Sequence, residues 1–197
     1  MACTELDGLP IAVTGSSDHT VRVWDLTTGR PLGKPLTGHT NAVLAVACTE
    51  LDGRPTAITA SWDGTVRVWD LTTGRPLGEP LTGHTEPVYA VACTQVNGRP
   101  TAVTGSFDGA VLVWDLATRR PLGKPLTGHT EMVREVVCTE VNGRPTAVST
   151  SDDGTVRVWN LTTGRPLGKP LTGHTERVHA VACTELDGVP IAVTGSS

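Results

Sequence analysis

A 45-residue step constrains this chain more than any other feature. Trp24, Trp69, Trp114 and Trp159 keep it, as do His39, His84, His129 and His174, and Asp18, Asp63, Asp108 and Asp153. Cys3, Cys48, Cys93, Cys138 and Cys183 follow the same step, and no insertion or deletion breaks the register. Four periods occupy 180 residues, and the remaining 17, 181–197 (VACTELDGVPIAVTGSS), restate 1–17 (MACTELDGLPIAVTGSS). Such a repeat overrides any domain count taken from length, because stacked copies of one small unit share a continuous core.

Residues 83–127 show what one unit is. Val88–Thr94 (VYAVACT) is apolar and β-branched at alternate positions, and QVNGRP then breaks it with Asn, Gly and Pro. A second run, Thr101–Ser106, leads to Phe107-Asp108-Gly109, and Asp-Gly is a strong hairpin signal. The third run is Val111–Leu116. The fourth, Pro121–Thr127, carries Pro121 and Pro125 and therefore suits an edge strand. No apolar pattern of helical period is long enough for a helix. The unit reads as a four-stranded antiparallel meander that cannot bury both faces alone, and radial stacking of copies solves that problem.

Composition narrows the partners. The net charge is −4 and both signs are spread along the chain, so no basic footprint for nucleic acid is expected. No long apolar run and no leader pattern is present, so neither a membrane span nor a signal peptide is expected. Each of the five cysteines sits at one place in the repeat, and equivalent places on neighbouring units should be too far apart to bridge. Buried free thiols in a reducing, cytoplasmic setting are the expectation.

Gly-His before the first strand, then S-x-D-x-T, then VRVWD resemble the WD40 repeat over nearly the whole chain. The resemblance implies an all-β propeller of four-stranded antiparallel blades. On that pattern blade 1 spans 1–37 with a truncated first strand. Blades 2, 3 and 4 span 38–82, 83–127 and 128–172, and 173–197 is a half blade of two strands. The resemblance also implies a hydrogen-bonded tetrad of His, Ser/Thr, Asp and Trp in each blade. The sets are His39, Thr59, Asp63 and Trp69; His84, Thr104, Asp108 and Trp114; and His129, Ser149, Asp153 and Trp159. Ser61, Ser106 and Ser151 lie two residues on, on the same face, and compete for the hydroxyl role. Repetition argues for architecture over a catalytic triad, since a satisfied buried network specifies one arrangement.

The ends are complementary. The first unit has Asp18 and Trp24 but no Gly-His, and the half blade has His174 and Thr194 but no turn Asp or Trp. WD40 propellers usually close with about seven blades, so closure with a second copy into an eight-bladed homodimer is expected. Strands exchanged across the interface would unite His174, Thr194, Asp18 and Trp24. A nine-bladed or other ring and a closed four-bladed monomer are the alternatives. The duplicated segments compete for one place, and the N-terminal copy is expected to be displaced or disordered. The abrupt ends and near-identical blades resemble a piece excised or engineered from a bacterial WD40 array.

Where the copies differ, function is expected. The residue before the turn Asp is Ser17, Trp62, Phe107 or Asp152. The second after Gly-His-Thr is Ala42, Pro87, Met132 or Arg177, and two further on stand Leu44, Tyr89, Arg134 or His179. Trp, Phe, Tyr, Met and Arg are the types that anchor protein interfaces. The resemblance places these positions on the partner-binding top face. A non-catalytic scaffold for a protein or peptide partner leads. A self-assembling structural fragment without a ligand comes second, and a sugar-binding propeller resting on Trp62 alone a distant third. No CxxC, HExxH, phosphate loop or acidic pair points to an enzyme, cofactor or metal, and the Asn/Asp-Gly loops carry too few acids for calcium.

Overall fold

The computed structural model describes residues 1–186 and 189–197, so the Asp-Gly turn at 187–188 lies outside the described residues. The chain divides into two compact units, Met1–Val88 and Tyr89–Ser197. No helix among the described residues is long and apolar enough to cross a membrane.

The first unit holds two antiparallel sheets. One has the order β1 (Ala2–Leu6), β2 (Leu9–Gly15), β3 (Val21–Asp25) and β4 (Pro31–Leu36). The other has the order β5 (Val43–Leu51), β6 (Arg54–Ser61), β7 (Val66–Asp70) and β8 (Arg75–Pro76). Ile11, Val13, Val21, Val23 and Leu36 from the first sheet pack with Val43, Val46, Ala57, Trp69 and Leu71 from the second. Two small half-covered sheets thus build one core between them.

The second unit repeats the plan. One sheet comprises β9 (Val88–Val96), β10 (Arg99–Ser106), β11 (Val111–Asp115) and β12 (Arg120–Pro121). The next comprises β13 (Val133–Val141), β14 (Arg144–Ser151), β15 (Val156–Asn160) and β16 (Arg165–Pro166). A two-stranded sheet of β17 (Val178–Leu186) and β18 (Val189–Ser196) follows. Val103, Val111 and Val113 meet Val133, Val136, Ala147 and Trp159 in one core. A smaller one joins Val148 and Val156 to Val178 and Val181.

The first hairpins of the β5–β8, β9–β12 and β13–β16 sheets are tighter than their polar linkers suggest. Leu51 pairs Arg54 and Val141 pairs Arg144, so only two residues turn the chain. Asp52, Asn97 and Asn142 take φ of 51, 52 and 51°, and the glycine after each is also left-handed. Two positive φ values in a two-residue loop are the I′ geometry that matches strand twist, and Asn-Gly and Asp-Gly supply it at low cost. The flanking residues therefore join the strands: β9 runs to Val96 and β10 starts at Arg99.

One expectation needs correction. Among the described residues the fourth strand is not a full run in three of the four four-stranded sheets. It shrinks to two paired residues plus one isolated bridge, Val66↔Leu81, Val111↔Leu126 or Val156↔Leu171. Pro31–Leu36 has the same PLGKPL sequence as Pro121–Leu126 and the same left-handed glycine, at φ 70 and 77°, yet forms the full β4, so the residues of the run do not by themselves set its length. Within the single chain the N-terminal copy of the duplicated segment is seated, since β1 and β2 pair with each other and β2 pairs with β3.

Candidate functional site

In the second blade the histidine that precedes β5 bonds to its own sheet. His39 Nδ1 lies 2.8 Å from Asp63 Oδ2 and Nε2 lies 2.8 Å from Thr59 Oγ1. Trp69 Nε1 donates to the same hydroxyl at 2.9 Å. Asp63 also accepts from Thr40 N–H, Thr65 N–H and the Thr65 hydroxyl at 2.9, 2.9 and 2.7 Å. The hydroxyl in the network is therefore Thr59. Ser61 instead bonds Asn41 O and Asp63 N at the turn. The fourth blade repeats the arrangement, with His129 3.0 Å from Asp153 and 2.8 Å from Ser149, and Trp159 donating to Ser149 at 2.8 Å.

The protons follow from chemistry. Burial lowers the His39 and His129 pKa values more than the facing carboxylates raise them, and Arg67 and Arg157 lower them further. A neutral ring beside a carboxylate keeps its proton on Nδ1, so Nε2 accepts the Thr59 or Ser149 hydroxyl proton. Burial pushes Asp63 up, but the donors from Thr65, Thr40 and His39 outweigh it and hold its pKa at about 2. Asp153 is lowered through the same contacts.

This geometry echoes a hydroxyl–imidazole–carboxylate relay but does not present a nucleophile. Thr59 and Ser149 are 0% exposed, and each oxygen already accepts an indole N–H. No substrate carbon can approach such an oxygen, so the network acts as an internal strut.

In the third blade, the described members of the second unit behave alike: Trp114 Nε1 donates to Thr104 Oγ1 at 2.9 Å, and Asp108 begins the β10–β11 turn by accepting from Ala110 N–H. His84 belongs to the first unit. The fourth set is split within the chain. His174 Nε2 lies 2.8 Å from Thr194 Oγ1 at an exposed site. Trp24 Nε1 donates instead to Thr14 Oγ1 at 2.8 Å. Asp18 Oδ1 takes both Thr20 donors, as Asp63 Oδ1 takes those of Thr65. Among the described residues, neither Asp18 Oδ2 nor His174 Nδ1 has a hydrogen-bond partner.

The variable positions come together within each sheet. Trp62 N–H donates to Ala42 O at 2.9 Å, and Asp152 N–H to Met132 O at 3.0 Å, tying the turn to the start of the first strand. Register slips at Val43/Ala45, Val133/Glu135 and Val178/Ala180 make Leu44, Arg134 and His179 the bulged residues. A bulge re-aims one side chain at a strand end. Trp62 and Phe107 are 45% and 47% exposed, and Arg177 and His179 are also exposed. Leu44, Pro87 and Tyr89 are half-buried. Met132 is 4% exposed and leaves the candidate partner-binding set, because in that sheet the side chain turns into the core. Arg134 and Asp152 are not independent positions: Nε and Nη2 of the guanidinium grip the two carboxylate oxygens at 2.6 and 2.9 Å, and Arg134 lies 5.6 Å from the Tyr89 ring centre.

Some contributing residues escape a reading by motif. Glu135 replaces the alanines found at 45, 90 and 180, and its carboxylate accepts Val181 N–H at 2.7 Å, fastening β17 to the sheet before it. The only advance signal was that lone departure. Arg67 and Arg157 press on Gly38 and Gly128, where a Cβ would come within 3.0 and 2.5 Å of a guanidinium nitrogen. The glycine of each Gly-His pair leaves room for that packing. The cysteines are less buried than expected. Cys3 is exposed and the others are half-buried, with burial raising the Cys48 and Cys138 thiols to about 11 and about 12. No cluster of metal-binding side chains occurs among the described residues.

A search of curated proteins found no match to this chain. The family model described as WD domain, G-beta repeat matches four times, over residues 7–25, 29–70, 74–115 and 120–160. Members of that family are in general non-enzymatic scaffolds for protein interaction. With matches spread over most of its length and a repeated His–hydroxyl–Asp–Trp network in its sheets, the chain belongs to the WD40 repeat family.

Proposed function

We propose that this chain is a non-catalytic scaffold that closes into an eight-bladed propeller with a second copy and offers its variable rim to a protein or peptide partner. One observation carries the reading: the two halves of a tetrad stand open in the same chain. His174 and Thr194 hold one half, and Asp18 with its Thr20 cradle holds the other. Apolar surface supports it. Leu186, Val189 and Val193 on the two-stranded sheet are 61, 58 and 59% exposed, a cluster that calls for a cover. A second copy supplies that cover through a heterologous contact that closes by rotation. Trp62 in the first unit and Phe107 in the second are the proposed anchors, and Leu44, Tyr89, Arg177 and His179 are the further candidate positions. Unbridged thiols at Cys3, Cys48, Cys138 and Cys183 support a cytoplasmic setting.

The test is the mass of the 197-residue chain by sedimentation equilibrium at micromolar concentration. A two-chain mass is expected, and a monomer would overturn the reading. Gly195→Val sharpens it. A Cβ on Gly195 meets only Ala180 at 3.9 Å, but at the equivalent Gly15 it would lie 2.5 Å from Val43 Cγ1. The variant should therefore keep its fold and lose self-association.

A further inference from the structure

The duplicated segment gives this chain two versions of one hairpin, and the structure seats only one of them. In both, the strands pair alike: Cys3↔Ala12 and Thr4↔Ile11 in β1–β2 match Cys183↔Ala192 and Thr184↔Ile191 in β17–β18. β2 then lies on β3, with Ile11 opposite Asp25 and Gly15 opposite Val21. Ile11 and Val13 are fully buried there, and Thr14 takes the Trp24 indole N–H. In β18 the equivalent Val193 is 59% exposed, a Cβ on Gly195 would meet nothing closer than Ala180 at 3.9 Å, and Thr194 is held by His174.

We infer that β1–β2 is an exchangeable place-holder, an intramolecular strap that occupies on β3 the seat of a second copy's β17–β18. This rests on the self-assembly reading above and adds how assembly is gated. Ile191, Val193, Thr194 and Gly195 are the same residue types as Ile11, Val13, Thr14 and Gly15, in the same order. A β3 edge that accepts one hairpin accepts the other, so the pairing lost on exchange is regained. What differs lies at the start. β17 begins at Val178, whereas β1 begins at Ala2, the counterpart of Ala182. The incoming hairpin also brings His174, whose Nδ1 would reach Asp18 Oδ2 as His39 reaches Asp63, and Thr175 N–H, which would copy Thr40. Exchange therefore adds bonds that the resident hairpin lacks, but only after that hairpin is stripped from β3. The strap makes assembly slow and leaves its rate in the hands of β2.

Mirror-image substitutions in the full chain test this. Ile11→Ala weakens the resident hairpin and should speed dimer formation by at least about tenfold, since loosening a contact broken on the way raises the opening rate. Ile191→Ala removes the same atoms from the incoming hairpin and should weaken the dimer by a similar factor. Thr14→Val, which takes away only the Trp24 acceptor, should act in the same direction as Ile11→Ala and guards against a misfolded first variant. The readout is mass against time after dilution and reconcentration, with thermal unfolding of each variant beside it. Opposite effects support the strap. If the wild-type chain dimerises and Ile11→Ala and Thr14→Val leave the rate unchanged or lower it, the strap is wrong while self-assembly stands. If wild type and all variants remain monomers, self-assembly itself fails and the strap with it.

Discussion

Trp69 Nε1 and Thr59 Oγ1 lie 2.9 Å apart across the β6–β7 pair, and this bond makes Thr59 the hinge of its tetrad. The oxygen accepts the indole proton and gives its own to His39. Thr59→Val keeps the shape and leaves both neighbours unpaired in a fully buried place. At about 1–3 kcal/mol for each orphaned buried group, the loss should be about 2–6 kcal/mol in urea unfolding. Thr59→Ser should stay within about 1 kcal/mol, because Ser149 does the same work in the fourth blade. Equal losses from both substitutions would mean that packing, and not the hydroxyl, matters.

Acid should weaken the fold in two stages. His39 and His129 have folded pKa values below the ordinary 6.5. The unfolded chain therefore binds protons first, and their contribution is complete above about 6.5 and falls as pH drops below it. Asp63, held at about 2 against an ordinary 3.8, contributes fully above about 4 and is lost between about 4 and 2. Asp153 shifts the same way. Urea midpoints measured from pH 8 to 2 should fall from near 6.5 and again below 4. Replacing both histidines by Gln should flatten the first stage and spare the second.

Much of this was legible because the repeat compares the chain with itself. The step placed the hairpins, the buried tryptophans and the members of the two networks built on His39 and His129. It could not separate Thr59 from Ser61, since a period of two puts both on one face and only the reach of the Trp69 indole decides. It overstated the fourth strand, because Pro31–Leu36 and Pro121–Leu126 read alike and only the first forms a full strand. Met132 varies among the copies like its rim neighbours, yet it fills the core, and variability alone does not report direction. Glu135 was hidden for another reason: its partner is a backbone N–H of Val181, which no side-chain motif announces.

Identical residues in the two duplicated hairpins should respond differently. Gly15→Ala places a methyl 2.5 Å from Val43 Cγ1 and 2.8 Å from Val43 O, backbone that cannot swing away. Overpacking of this kind costs about 1–3 kcal/mol. Gly195→Ala meets nothing closer than 3.9 Å and should leave unfolding of the monomer within about 0.5 kcal/mol. Circular dichroism melts of the two variants at submicromolar concentration compare them directly.

Trp62 and Phe107 should be dispensable for folding. Both stand about half exposed at the tip of a turn. Trp62→Ser with Phe107→Ser should shift stability by less than about 1 kcal/mol. Binding of any partner captured on the rim should drop by at least about tenfold, as expected for aromatic anchors. Undiminished binding would show that these positions merely drift.

Arg134 and Asp152 deviate together because they bond to each other. The guanidinium spans both carboxylate oxygens, and the side chains are 22% and 11% exposed. That is sheltered enough for a bidentate pair to matter and wet enough to limit its worth to about 1 kcal/mol. Each alanine substitution alone should cost more than half of what the double substitution costs, since the second change removes a partner already lost. A coupling near zero in the cycle would reduce the pair to a surface coincidence. A coupling that shrinks as salt rises from 0.05 to about 0.5 M would identify it as electrostatic. Arg177, 3.8 Å from the same carboxylate, should take up part of the load when Arg134 is removed, so Arg134→Ala should cost less than Asp152→Ala.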